Sequence, residues 1–159
     1  MISTVARGVP VFRRGVLRGP VERFLTTNAE RVLVLADQEA VAAHAPQVAP
    51  EHVMAALLKN GNGVAVLCLR RLGAGPRELA DAPQADDPPT THGITAVLEQ
   101  ARHQAHLLGH RYIGTEHLLL ALAEEAPDLL ARHGADPATL RRQVVSVLRE
   151  PVPAGWVWP

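Results

Sequence analysis

Apolar residues recur at helical spacing along most of the chain. Ala29, Val32, Leu33, Ala36, Ala40 and Ala43 follow an i, i+3, i+4, i+7 rhythm. This predicts a helix over 27–44, with Thr26, Thr27 and Asn28 as candidate caps and Pro46 as its end. A second helix is expected over 50–59, turning Val53, Met54, Leu57 and Leu58 inward. The run Asn60-Gly61-Asn62-Gly63 reads as a turn. A third helix over 64–72 would bury Val64, Leu67, Cys68 and Leu72, with Gly73 closing it. A short fourth over 76–82 is cut by Pro83. Prolines and aspartates then mark 83–91 as a stiff, solvated linker.

The pattern restarts after the linker. Ile94, Val97, Leu98, Ala101, Ala105 and Leu108 predict a helix from about 93, stopped by Gly109. Thr115 is expected to cap the sixth helix, which runs to 125 with Leu118, Leu119 and Leu122 inward. Glu116 would complement the dipole at that helix start. A short seventh helix over 127–133 ends at Gly134. Asp136-Pro137 opens the last, carried by Leu140, Val144, Val147 and Leu148 to Pro151. Glu51 and Glu116 are 65 residues apart, and so are Thr26 and Thr91. Each half thus places a threonine at the mouth of its first helix and a glutamate at the mouth of its second. The expected fold is all-α, two pseudo-symmetric four-helix repeats forming one compact domain. The domain would span 23–149, with repeat one over 23–82, the linker over 83–91 and repeat two over 92–149. A flexible basic arm (1–22) and a tail (150–159) flank it.

Composition narrows the function classes. Sixteen basic and 16 acidic residues give a net charge of +0, without the basic excess that nucleic-acid binders carry. No apolar run is long enough to cross a membrane, and the arm has no continuous apolar centre of the signal-peptide kind. We expect a soluble cytoplasmic protein with no nucleic-acid or membrane partner. The single cysteine, Cys68, excludes an internal disulfide and reads as a small buried hydrophobe.

The stretch LGHRYIGTEHLLLAL (108–122) closely resembles the signature of the Clp N-terminal domain, the double helical repeat at the front of ClpC- and ClpA-type AAA+ unfoldases. AERVLVLADQEA (29–40), PEH (50–52), GNGVAVLCLRRLGA (61–74) and GADPATLRRQVVSVL (134–148) extend the resemblance over roughly 23–149. The resemblance implies substrate or adaptor recognition. In ClpC-type relatives each repeat offers a threonine for the phosphate and a glutamate for the guanidinium of phosphoarginine. Those positions correspond here to Thr26 with Glu51, and Thr91 with Glu116. The chemistry suits the ligand: helix N-termini attract phosphate, and a carboxylate takes a guanidinium in a two-bond fork. The bland alternative is that the threonines only cap helices and the glutamates only complement dipoles. The sequence departs from the pattern at Pro50, which replaces the threonine of GTEH, at Thr90 and at Ile94, and it lacks GEGVA after the second signature helix. Thr90 stands where relatives often carry an aromatic, which weakens the implied binding of cyclic-peptide antibiotics.

No catalytic constellation is visible, and no enzyme is expected. There is no Walker A motif: the only lysine, Lys59, precedes Asn60. The chain reads as a stand-alone recognition domain without its motor, binding degradation-marked proteins, peptides or adaptors, and acting as an adaptor or a decoy. Two alternatives remain. One is sequestration of cyclic-peptide antibiotics. The other is a helical metal- or small-molecule-binding protein using His103, His106 and His110, spaced i, i+3, i+7. No cofactor is called for and no metal site is assigned. Trp156 and Trp158 either fold back onto the bundle or dock a partner.

Overall fold

A computed structural model describes residues 19–73 and 93–150. The expected helix over 76–82, the linker, the tryptophan tail and nearly all of the basic arm lie outside the described residues. Within them the chain forms a 3-10 turn (Val21–Phe24) and seven α-helices: α1 (Thr27–Ala42), α2 (Pro50–Asn60), α3 (Val64–Arg71), α4 (Ile94–Leu108), α5 (Thr115–Glu125), α6 (Pro127–Arg132) and α7 (Pro137–Arg149). Each helix ends within two residues of its expected bound. Val21, assigned by sequence to the arm, is buried and belongs to the core.

Helix α5 is the axis of the molecule. It packs against all six other helices, and every residue from Thr115 to Ala123 is buried. A helix surrounded on all sides has to be apolar on all sides, which is what Leu118-Leu119-Leu120-Ala121-Leu122 supplies. The others present one face to it: Ala29, Val32 and Ala36 from α1, Val53, Met54 and Leu57 from α2, Leu140 and Val144 from α7. Small residues at Ala29, Ala36, Ala101 and Ala105, all fully buried, let these helices approach closely. Among the described residues no single helix is long and apolar enough to cross a membrane.

Helices α1 and α2 form an antiparallel pair. Asn60, at the end of α2, donates through Nδ2 to Asn28 Oδ1 in the first turn of α1 (3.4 Å). Lys59 and Glu39 add an ion pair between the same two helices. The chain then turns by 91° into α3. The end of α3 is tied to the end of α7 by a two-bond fork between Arg71 and Glu150, its second bond 2.9 Å long. Both side chains are partly exposed, so water screens the pair and it adds little to stability. The repeats are also stitched through backbone: Ile113 N–H donates to Phe24 C=O (2.7 Å), and Thr26 N–H to Ile113 C=O (3.0 Å). That short parallel bridge between Leu25 and Ile113 sets the start of α1 against the connection leading into α5.

Candidate functional site

The mouth of α5 is built from residues 109–117. Its N-cap is Gly114, one residue before the expected Thr115. Glycine has no side-chain acceptor, so the cap is completed from inside the helix: Gly114 N–H donates to His117 Nδ1 at 2.8 Å. The first repeat uses the same device, with Ala49 N–H donating to His52 Nδ1 at 2.9 Å. Both are half of a capping box in which histidine takes the place of the usual Glu or Gln. The signal in the sequence is a histidine three residues after each N-cap.

Thr115 does something different from what its position suggests. Its hydroxyl accepts Ala65 N–H at 3.3 Å, in the first turn of α3. The N-cap of α3 is Gly63, again without a side chain. Glycine is required there twice over, because its φ is +100° and a Cβ would fall 2.5 Å from Thr115 Oγ1. Thr115 therefore caps a helix of the other repeat. Pro50, its counterpart, has no hydroxyl to offer, and α6, the counterpart of α3, starts at Ala126 without a side-chain cap.

Glu116 sits in the core, 1% exposed, rather than at an open helix mouth. Neither carboxylate oxygen completes a hydrogen bond. Burial pushes its carboxyl up to about 6, while its own backbone N–H and the Tyr112 hydroxyl pull in the other direction. Burial, with the Glu116 charge second, raises the Tyr112 hydroxyl in turn. Beside this carboxylate three rings meet. His110 stacks on Tyr112 at 5.0 Å and 7°, and both stand edge-on to His117 at 4.9 and 5.4 Å. Burial first, and His110 second, depress His117 to about 3, so it is neutral at physiological pH.

The hydrogen bonds then assign the protons. His117 Nδ1 accepts from Gly114, so the ring proton is on Nε2. Nε2 lies 2.8 Å from His110 Nδ1 and donates to it. This decides the metal question raised by the group His110, Glu116 and His117, whose potential ligand atoms lie within 4.8 Å of one another. The one lone pair of His117 is already occupied by the cap, and its other nitrogen carries a proton. A metal would have to break the start of α5, so the donor set does not suit one. The face expected from His103, His106 and His110 does not form either. Helix α4 ends at Leu108, and beyond left-handed Gly109 the ring of His110 turns to His117, while His103 is exposed.

Of the four residues expected to bind a ligand, Thr26 is the N-cap of α1, its Oγ1 accepting Ala29 N–H at 3.2 Å. Glu51 is half-buried in the first turn of α2. Thr91 lies outside the described residues. The sequence pairs Thr26 with Glu51 inside one repeat. Thr26 is also joined to the other repeat, its backbone N–H donating to Ile113 C=O, three residues before Glu116. The start of α4 approaches the first repeat in the same way, since a Cβ on Gly93 would lie 3.9 Å from Gln47 Oε1, just ahead of α2.

The profile of the family described as the Clp repeat (R) N-terminal domain matches residues 24–126 and again 89–154. Chaperone protein ClpC1 of rice chloroplasts (Oryza sativa subsp. japonica) is 33% identical over 162 residues, covering 93% of this chain and 18% of the relative. A probable ATP-binding subunit of the ATP-dependent Clp protease from Chlamydia pneumoniae is 34% identical over 142 residues, covering 80% and 17%. The chain thus spans under a fifth of the length of these relatives. Among solved structures, the N-terminal domain of Hsp104 from Candida albicans superposes with a TM-score of 0.62 at 22% identity, over 79% of this chain and 92% of that one. The N-terminal domain of the chaperone ClpD from Arabidopsis thaliana gives 0.55 at 18%, over 84% and 100%. At these identities the two structures speak to the fold alone.

Proposed function

The chain belongs to the Clp repeat N-terminal domain family, and from that membership we propose that it is a non-catalytic recognition module of the Clp system. It binds arginine-phosphorylated proteins, peptides or adaptors, and serves as an adaptor or a decoy for an unfoldase. One observation carries the reading: the backbone pairing of Thr26 with Ile113 sets the start of α1 beside the helix that holds Glu116. The start of α1 offers N–H groups, a hydroxyl and positive potential to a phosphate. Glu116 is a carboxylate with no completed hydrogen bond, and it favours a cation that brings its own donors. Phosphoarginine carries both complements on one side chain. Its guanidinium would have to displace the Tyr112 side to reach Glu116, and the two N–H bonds it donates offset that cost. The ligand pair proposed here is therefore Thr26 with Glu116, and by the repeat symmetry Thr91 with Glu51.

Calorimetric titration with phosphoarginine tests this. Wild-type binding is expected, weakened about 10- to 100-fold in Glu116→Gln, the loss of a charged hydrogen-bond acceptor. Thr26→Val should be strongly non-additive with Glu116→Gln and additive with Glu51→Gln. No heat with the wild type would sink the ligand. Coupling of Thr26 to Glu51 in place of Glu116 would sink the exchanged pairing.

A further inference from the structure

Two helix faces point to solvent with complementary chemistry. On α1, Val34 is 59% and Val41 69% exposed. At 100° per residue, Glu30, Val34, Asp37 and Val41 share a stripe about 60° wide. The stripe pairs two acidic side chains with two bare valines, and neither Glu30 nor Asp37 has an ion-pair partner among the described residues. On α7, Arg141, Arg142, Val145 and Arg149 share a stripe about 100° wide. They line a shallow depression of about 900 Å³ together with Ala138 and Ser146. No acidic residue occurs between Pro137 and Arg149. The partners of two of these arginines are neutral: Arg141 donates to Gln104 Oε1 (2.6 Å) and Arg142 to Thr139 Oγ1 (3.2 Å). None of the three reaches a carboxylate among the described residues.

We propose that these faces dock on each other between copies of this chain, the acidic valine stripe of α1 against the arginine stripe of α7. Zero net charge leaves no long-range repulsion to oppose such contact, while the charges themselves are segregated by face. Val34 and Val41 would pack against Val145 and the aliphatic stems of the arginines, leaving the guanidinium groups free for Glu30 and Asp37. The two faces belong to different helices, so the contact is head-to-tail. Each copy keeps one face open, and assembly proceeds to chains or a ring instead of stopping at a symmetric dimer. One helix on one helix is a small interface, below about 1,200 Å², so the association is weak, with a dissociation constant of order 10⁻⁴ M.

Sedimentation velocity of the full chain over about 10 µM to 1 mM, a range spanning that constant, tests the proposal. The weight-average sedimentation coefficient should rise with concentration in low salt. It should fall back to the monomer value in about 1 M salt, where screening acts within roughly 3 Å. Val34→Lys/Asp37→Lys and Arg142→Glu/Arg149→Glu should each be monomeric alone. Mixed, they retain one good α7 face and one good α1 face, and should associate with each other. Monomeric wild type across the range would overturn the proposal, as would either variant associating by itself, or a mixture that stays monomeric while wild type assembles. Association that appears only when residues 151–159 are removed would assign the α7 face to the tail and overturn it too.

Discussion

The hydroxyl of Thr115, in the second repeat, caps a helix of the first by accepting the N–H of Ala65 at 3.3 Å. The two residues are 50 positions apart, and Thr115 is fully buried. The bond therefore does two jobs: it satisfies an orphan donor of α3 and it fixes the register between the repeats. Thr115→Val keeps the shape and removes the acceptor, leaving Ala65 N–H buried and unpaired. A loss of about 1–2 kcal/mol in urea unfolding is expected, and Thr115→Ser should recover most of it. If Val and Ser variants are equally stable, the hydroxyl does not serve as that cap.

The mouth of α5 makes an opposed pair of pH effects. His117 falls to about 3 in the folded chain from an ordinary 6.5, so the unfolded chain takes up the proton first. Its contribution is complete above 6.5 and declines as pH falls toward 3. Glu116 rises to about 6 from 4.5, so the folded chain binds the proton first. Its contribution is complete below 4.5 and is lost as pH rises through 6. Between pH 7 and 4.5 the two run against each other. The larger histidine shift wins, leaving wild type modestly less stable at the acid end, by about 1 kcal/mol at 1.4 kcal/mol per pH unit. Glu116→Gln removes the compensation, and the loss should roughly double or more. His117→Gln should reverse the sign, with stability rising on acidification. Unfolding midpoints of the three proteins over that window decide it; a His117→Gln profile parallel to wild type would refute the assignment.

The helices were legible because their ends are punctuated locally. Thr26 and Asp136 cap, Pro50, Pro127 and Pro137 start, and Gly109 and Gly134 stop. What sequence reading missed depends on contacts between distant residues. Thr115 looks like an N-cap for its own helix, and only its approach to Gly63 redirects it. Equal spacing of Thr26 to Glu51 and Thr91 to Glu116 is compatible with pairs within each repeat or across them. Spacing along the chain cannot tell which ends of an antiparallel hairpin face which neighbour. The burial of Glu116 had one sign in the sequence, the Leu-rich run directly after it. A helix with no polar side must be enclosed, and its first turn is enclosed with it.

His44 invites a stabilising change. It is the one non-glycine residue among those described with positive φ (+53°). The cause is the way α1 ends. His44 N–H bonds to Val41 C=O and Ala45 N–H to Ala40 C=O (2.9 Å), the paired bonds of a Schellman motif. Helices α4 and α6 end in the same motif, with Gly109 and Gly134 at the left-handed position. A left-handed residue with a Cβ costs roughly 1–2 kcal/mol, less what glycine gives back in unfolded-chain entropy. His44 is exposed, so little packing is at stake. His44→Gly should raise stability by about 0.5–1 kcal/mol, readable as an upward shift of the urea midpoint at constant slope. A lower midpoint would mean that the imidazole makes contacts worth more than the strain.

Cys68 offers a probe of the whole bundle. It is fully buried on α3 against the core, and burial, with the Glu116 charge second, pushes its thiol up to about 12. The thiolate is the reactive form, so at neutral pH almost none of it exists in the folded chain, and reagent has no path to it. Modification by an aromatic disulfide should therefore wait for the core to open. Its rate should follow the global unfolding equilibrium as urea is added, and Thr115→Val should speed it about 5- to 30-fold, the factor that 1–2 kcal/mol converts to. Rapid labelling of the native chain, at a rate indifferent to urea and to Thr115→Val, would show that the region around α3 opens on its own, without the rest of the core.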